Sequence, residues 1–225
     1  MEIKLVLLDI DNTLLSFDGY VRQSMKDGFE RFHLKPYQEE MFSVFTRINN
    51  GFWEALERRE ITRDELLARR WQTVLDALGI DFDGAAFEAY FQECLISSAI
   101  PVEGAMELLD YLSGRYELGV ASNGPYGQQM NRLKVGGMLK YFRYFFVSER
   151  LGAVKPEKAF FDACMKELDG FRPHEIMIIG DSMTSDIAGG ASCGLRTCWY
   201  NPAGKTSSVR PDHEVRSLDE IKAFL

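Results

Sequence analysis

The chain alternates between short, unbroken apolar runs and longer stretches in which apolar residues recur every three or four positions. Ile3 to Leu8 is the first run, β-branched or Leu-rich and without polar alternation. That is the pattern of a central parallel strand buried on both faces. Similar runs follow at Leu118–Ala121, Tyr144–Val147, Ile176–Ile179 and Thr197–Tyr200. Helical spacing fills intervals between them, with Ala105, Leu108, Leu109 and Leu112 after Pro101 and with Phe160, Phe161, Cys164, Met165 and Leu168 after Pro156. A last helix is predicted from Ser217 to Phe224, with Ser217 as its cap and Glu220 completing a capping box. Strands alternating with helices predict an α/β fold, a parallel sheet joined by right-handed crossovers.

Residues 17–98 break that rhythm and read as helix after helix. Val21, Met25, Phe29 and Phe32 share one face, Leu67, Trp71, Val74, Leu75 and Leu78 a second, and Phe87, Tyr90, Phe91, Cys94 and Leu95 a third. Thr62 with Glu65 forms a capping box, and Gly79 is a helix stop. His33–Pro36 and Asn49-Asn50-Gly51 are predicted to separate helices. The expected organisation is a helical cap, residues 17–98, inserted after the first strand of a core made of residues 1–16 and 99–225. Its linkers, near Leu15–Gly19 and Ser97–Pro101, are expected to act as hinges.

Composition narrows the function classes. Of 225 residues, 46% are apolar and 27% charged, which excludes wholesale disorder. Lys plus Arg number 26 against 34 Asp plus Glu, a net charge of −8, so the chain lacks the positive field that binding polymeric nucleic acid or an anionic membrane requires. The four cysteines form no CxxC pair, which argues against a zinc site and a disulfide framework. Leu5–Leu8 is too short for a signal-peptide core, and no run approaches the roughly 18–20 apolar residues of a membrane span. The expected setting is the cytoplasm.

Four motifs fall at the carboxyl ends of predicted strands, the edge where open α/β sheets bind ligands. Asp9-Ile10-Asp11-Asn12-Thr13 pairs two carboxylates, which can attract a divalent cation or divide nucleophile from proton-transfer group. The same residues also suit a plain turn capped by Asp9. Ser122-Asn123-Gly124 offers a hydroxyl and backbone N–H groups to a phosphate, or is an ordinary strand-to-helix turn. In Lys155-Pro156 the proline is predicted to open a helix. A lysine there gains nothing from the helix dipole unless an anion lies between, the alternative being a solvated surface cation. Gly180-Asp181-Ser182-Met183-Thr184-Ser185-Asp186 suits a cation held by hard oxygen ligands, or helix capping by Asp181 or Asp186.

In this order, and with a helical insert after the first, the motifs resemble the haloacid dehalogenase-like hydrolase superfamily along the whole chain, most specifically in Asp9-x-Asp11-x-Thr13 and Gly180-Asp181-x4-Asp186. The resemblance implies a Rossmann-like parallel sheet with helices on both faces. It implies that Asp9 attacks phosphorus to form an aspartyl-phosphate, and that Asp11 protonates the leaving oxygen and then takes a proton from water. Mg2+ would be held by the Asp9 carboxylate, the Asp11 backbone carbonyl and Asp181, with Asp186 in or just outside that set. Ser122, Asn123 and Lys155 would hold the phosphoryl group. Asp11 must carry a proton when the leaving group departs, which neighbouring negative charge is expected to favour. The second carboxylate, absent from dehalogenases, points to phosphoryl chemistry.

A narrower resemblance lies in Ile48-Asn49-Asn50-Gly51-Phe52-Trp53-Glu54, Glu60-Ile61-Thr62, Arg69-Arg70-Trp71 and Cys198-Trp199-Tyr200-Asn201-Pro202. These segments look like those of bacterial pyrimidine 5′-nucleotidases, which more often carry Thr at the position of Ser122. The implied substrate is a small phosphate monoester, a nucleoside monophosphate. Trp53 would stack on the base, Asn49 would hydrogen-bond base or sugar, and Arg70 would contact phosphate. Cap packing for Trp53 and a solvated face for Arg70 are the alternatives. A phosphoglycolate or sugar-phosphate phosphatase, a phosphomutase and a non-catalytic binding protein on the same scaffold stay open, as do monomer and homodimer.

Overall fold

Six parallel strands build the sheet: β1 (Leu5–Leu8), β2 (Glu117–Ser122), β3 (Tyr144–Val147), β4 (Ile176–Gly180), β5 (Arg196–Tyr200) and β6 (His213–Val215), in the order β3-β2-β1-β4-β5-β6. The computed structural model describes residues 2–225. β1 lies between β2 and β4, with Leu8 level with Val120 on one side and Ile179 on the other. Asp9, Ala121 and Gly180 therefore stand side by side at the carboxyl edge, where the strand order reverses. Every β1 residue is buried, with Val6 and Leu8 in one apolar cluster and Leu5 and Leu7 in the other. This is why the run is continuous rather than alternating. The sixth strand escapes the hydrophobic pattern because it is three residues long and buries only Val215.

The chain forms two units, one that runs to Phe17 and resumes at Ala99, and one that spans Asp18–Ser98. The helices from the first interruption are α1 (Phe17–Arg31), α2 (Glu39–Glu57), α3 (Arg63–Ala77) and α4 (Gly84–Leu95). Trp71 sits among Phe45, Phe87 and Phe91 with ring centroids 4.2–5.2 Å apart, the centre of an aromatic core. The Thr62–Glu65 capping box forms, with Glu65 N donating to Thr62 Oγ1 at 3.2 Å and Thr62 N to Glu65 Oε2 at 2.7 Å. Gly79, at φ 64°, follows the end of α3. Asn49-Asn50-Gly51 does not break a helix: α2 runs straight through it. The Asn49 side chain is buried and accepts from Arg70 Nη1 at 3.1 Å, a tertiary bond that outweighs the weak local preference against helix.

In the larger unit α5 (Ala105–Ser113), α6 (Tyr126–Val135), α7 (Ser148–Leu151), α8 (Lys158–Glu167) and α9 (Gly189–Ser192) complete the layers. Leu108, Leu109 and Leu112 of α5 pack with Val6 and Leu8, and Phe160, Phe161 and Cys164 of α8 with Leu5 and Leu7. Pro156 does not open α8, which starts at Lys158; the Lys155–Pro156 bond is cis. The last turn, Leu218–Ala223, is 3₁₀ rather than α, with Ser217 N donating to Glu220 Oε1 at 3.0 Å. Among the described residues no helix is long and apolar enough to cross a membrane.

Two glycines of the helical unit make a controlled comparison. A Cβ at Gly84 would overlap the Gln72 backbone, whereas one at Gly51 meets nothing within 4 Å. Gly84→Ala is expected to cost about 1–3 kcal/mol by forcing α3 and α4 apart, and Gly51→Ala to stabilise by up to about 1 kcal/mol. Urea unfolding of both variants checks this; equal stability of Gly84→Ala and the parent would refute the close crossing.

Candidate active site

Four strand ends deliver the site. Asp9 follows β1, and its N–H donates to Ile179 O at 2.9 Å, which anchors it against β4. Three residues on, Asn12 takes a left-handed φ of 57° and its N–H donates to Leu15 O at 2.7 Å. The Asp11-Asn12 turn is thus real, and it leaves the Asp11 carboxylate 31% exposed. Ser122 ends β2 with its side chain buried. The Asn123 side chain bonds the Lys155 backbone: its Nδ2 donates to Lys155 O at 2.9 Å and its Oδ1 accepts from Lys155 N at 2.8 Å. These two hydrogen bonds between side chain and backbone fix the loop carrying Lys155 after β3 and α7.

Lys155 is not a solvated cation. It is 2% exposed, and its Nζ donates to Asp9 Oδ1 at 2.8 Å, Asp186 Oδ1 at 2.6 Å and Ala121 O at 2.6 Å. Three acceptors match the three protons of an ammonium. Asp186 is buried and also accepts from Ser182 N at 3.0 Å through Oδ2. Ser182, rather than either aspartate, caps the following π-helical turn Met183–Ala188, accepting from Ser185 N at 3.1 Å. Gly180 is required by contact: a Cβ there would overlap the Asp186 carboxylate. Asp181 is held from behind, its carbonyl accepting from Trp199 Nε1 at 3.0 Å.

Asp9, Asp181 and Asp186 each present an oxygen within 4.8 Å of the others. Three carboxylates with the Lys155 ammonium bonded to Asp9 and Asp186 make a group that is formally doubly negative. Burial pushes Asp9 up to about 7, with Lys155 opposing it and Asp186 and Asp11 adding to it. Burial, with Asp9 and Asp186 adding to it, lifts Asp181 well above the carboxylate range. Burial alone would lower Lys155, but Asp186 and Asp9 outweigh it and raise it. Hard oxygen donors with uncompensated negative charge fit a hard divalent cation, whose charge would restore the ionised carboxylates.

Asp11, beside the negative charge of Asp9, also faces a cation. Arg132 Nη1 donates to its Oδ1 at 2.7 Å and Gln129 Nε2 to its Oδ2 at 2.8 Å. Gln129 and Arg132 are buried residues of α6 that the sequence reading missed. Their i, i+3 spacing is also that of any solvated helix face, so the pattern carried no distinguishing signal.

The helical-unit candidates lie apart in role. Arg70 is buried, not on a solvated face; it donates to Glu88 Oε1 at 2.6 Å and Oε2 at 3.1 Å, and to Asn49. Both Asn49 and Arg70 thus belong to one internal polar network. Trp53 is half-buried on α2.

Comparison with known proteins bears on this geometry. A family profile of haloacid dehalogenase-like hydrolases matches residues 3–194. The chain is 33% identical over 222 residues to the HAD-hydrolase YfnB of Bacillus subtilis, covering 98% of this chain and 94% of that one. It is 32% identical to pyrimidine 5′-nucleotidase PynA of Streptococcus pneumoniae, covering 97% and 93%. It is 28% identical to pyrimidine 5′-nucleotidase YjjG of Escherichia coli, covering 98% and 96%. A crystal structure of YfnB bound to magnesium superposes with a TM-score of 0.91, covering 99% of this chain and 98% of that one.

The carboxylate cluster makes a prediction of opposite signs. Asp181→Asn removes a carboxyl whose ionised form burial and its neighbours disfavour, so its thermal midpoint in chelator is expected to equal or exceed that of the parent. Mg2+ a hundredfold above its Kd is expected to stabilise the parent by about 2.7 kcal/mol and this variant far less. A full Mg2+ shift retained by Asp181→Asn in differential scanning calorimetry would remove Asp181 from the cation site.

Proposed function

We propose that this chain, which belongs to the haloacid dehalogenase-like hydrolase family, is a Mg2+-dependent phosphatase that works through an aspartyl-phosphate on Asp9 and prefers pyrimidine nucleoside 5′-monophosphates. The observation that carries the chemistry is the meeting of Asp9, Asp11, Ser122, Lys155, Asp181 and Asp186 at neighbouring strand ends. Near full-length similarity to two pyrimidine 5′-nucleotidases supports the substrate class.

Asp9 Oδ2, the oxygen not bonded to Lys155, is the attacking atom. As it bonds to phosphorus, the bond from phosphorus to the leaving oxygen breaks and its electron pair stays on that oxygen, which takes a proton from Asp11. Water then attacks phosphorus, loses a proton to Asp11 and displaces the Asp9 carboxylate, releasing inorganic phosphate. Asp9, Asp181, Asp186 and the Asp11 carbonyl would hold Mg2+, which supplies positive charge against the phosphoryl oxygens. Ser122 Oγ already accepts from Gln129 Nε2 at 3.0 Å, which directs its own proton toward the phosphoryl group. Lys155 holds Asp9 and Asp186 at fixed spacing, and it bonds a phosphoryl oxygen when one of its present acceptors is exchanged. Asn123 acts through Lys155 by fixing its backbone.

Phosphate release is expected to be faster from UMP, dUMP and dTMP than from purine nucleotides, phosphoglycolate or sugar phosphates, and to need no bisphosphate activator. Asp9→Asn should lower turnover of p-nitrophenyl phosphate by at least about a thousandfold while the circular dichroism spectrum is kept. Preference for a sugar phosphate would overturn the substrate class alone; undiminished turnover by Asp9→Asn would overturn the mechanism.

A further inference from the structure

Gln129 and Arg132 stand three residues apart on α6, each 1% exposed, and face the same way. Gln129 Nε2 donates both to Asp11 Oδ2 at 2.8 Å and to Ser122 Oγ at 3.0 Å. Gln129 Oε1 accepts from Arg132 Nη1 at 2.9 Å, and the same Nη1 donates to Asp11 Oδ1 at 2.7 Å. The bonds close a ring through both oxygens of the Asp11 carboxylate, so the carboxylate cannot rotate without breaking one. The amide has one sensible orientation: a guanidinium only donates and an ionised carboxylate only accepts, so Oε1 must face Arg132 and Nε2 must face Asp11.

We propose that Gln129 and Arg132 are positioning residues that tie the proton-transfer carboxylate of Asp11 to the phosphate-holding hydroxyl of Ser122, so that acid and phosphate contact are set by one helix face. This rests on the reading of Asp11 as the acid for the leaving group. Each Asp11 oxygen keeps a second lone pair, so a proton can be carried and given up with both clamp bonds intact. The exposed side of the carboxylate is the route by which that proton reaches the leaving oxygen. Gly124 belongs to the same device: a Cβ there would come within 3.1 Å of Gln129 Nε2, so a side chain would press on the amide that serves both groups.

The test compares phenyl phosphate, whose leaving oxygen needs protonation, with p-nitrophenyl phosphate, whose leaving group departs readily without it. The quantity is kcat/KM, which reports on steps up to loss of the leaving group. Asp11→Asn calibrates the full effect of losing the acid. Gln129→Met and Arg132→Met are each expected to lower kcat/KM for phenyl phosphate about tenfold more than for p-nitrophenyl phosphate. Arg132→Lys is expected to recover part of that difference. A packing role alone would lower both substrates by one factor. Should Asp11→Asn discriminate while the Gln129 and Arg132 variants do not, the clamp is refuted and Asp11 stands as the acid. Should Asp11→Asn itself fail to discriminate, the acid assignment falls and the clamp with it. Should Arg132→Met not fold, Gln129→Met and Arg132→Lys decide the same question.

Discussion

Lys155 is a buried cation placed between two carboxylates that would otherwise repel one another, Asp9 after β1 and Asp186 in the turn that follows β4. Its ammonium touches a residue from each of those strand ends and the last carbonyl of β2 before Ser122. Three segments distant along the chain are thereby pinned to one point. A buried charge of this kind is tolerated only when its partners are complete, because desolvation costs several kcal/mol per ion. Here the three acceptors saturate the ammonium, and Asn123 holds the lysine backbone from the other side. The bracket still leaves net negative charge, an imbalance that a hard divalent cation would neutralise.

The sheet supplies the rigidity this arrangement requires. Asp9 and Gly180 are neighbours because β1 and β4 pair in register, and Gly180 lacks a side chain because the Asp186 carboxylate occupies the space. The apolar clusters on both faces of β1 keep the strand ends from shifting. Chemistry at the edge thus depends on packing several residues below it.

The helical unit follows the same logic with a different outcome. Arg70 and Glu88 pair within an aromatic core, with Arg70 over the rings of Phe91 and Phe45. The guanidinium that looks like a phosphate ligand in sequence is here neutralised by its own domain, with Asn49 completing the network. Such a pair specifies how α2, α3 and α4 meet more than it adds stability.

Much of this was legible in the residues. Continuous apolar runs marked five strands because strands buried on both faces have no polar positions, and the capping box of Thr62 with Glu65 is local chemistry that needs no distant partner. The strand-end placement of the candidate acidic residues, Ser122 and Lys155 was also readable, since the apolar runs mark where the neighbouring strands stop. Tertiary structure alone decided the rest. It kept α2 intact through Asn49 because Arg70 reaches that side chain, gave Asn123 a backbone to hold, and turned an unremarkable Gln129-x-x-Arg132 into the partner of Asp11. The dividing line is physical: propensity, burial pattern and capping act within a few residues, whereas a side chain's hydrogen-bond partner depends on which segments, often more than a hundred residues away, fold against it.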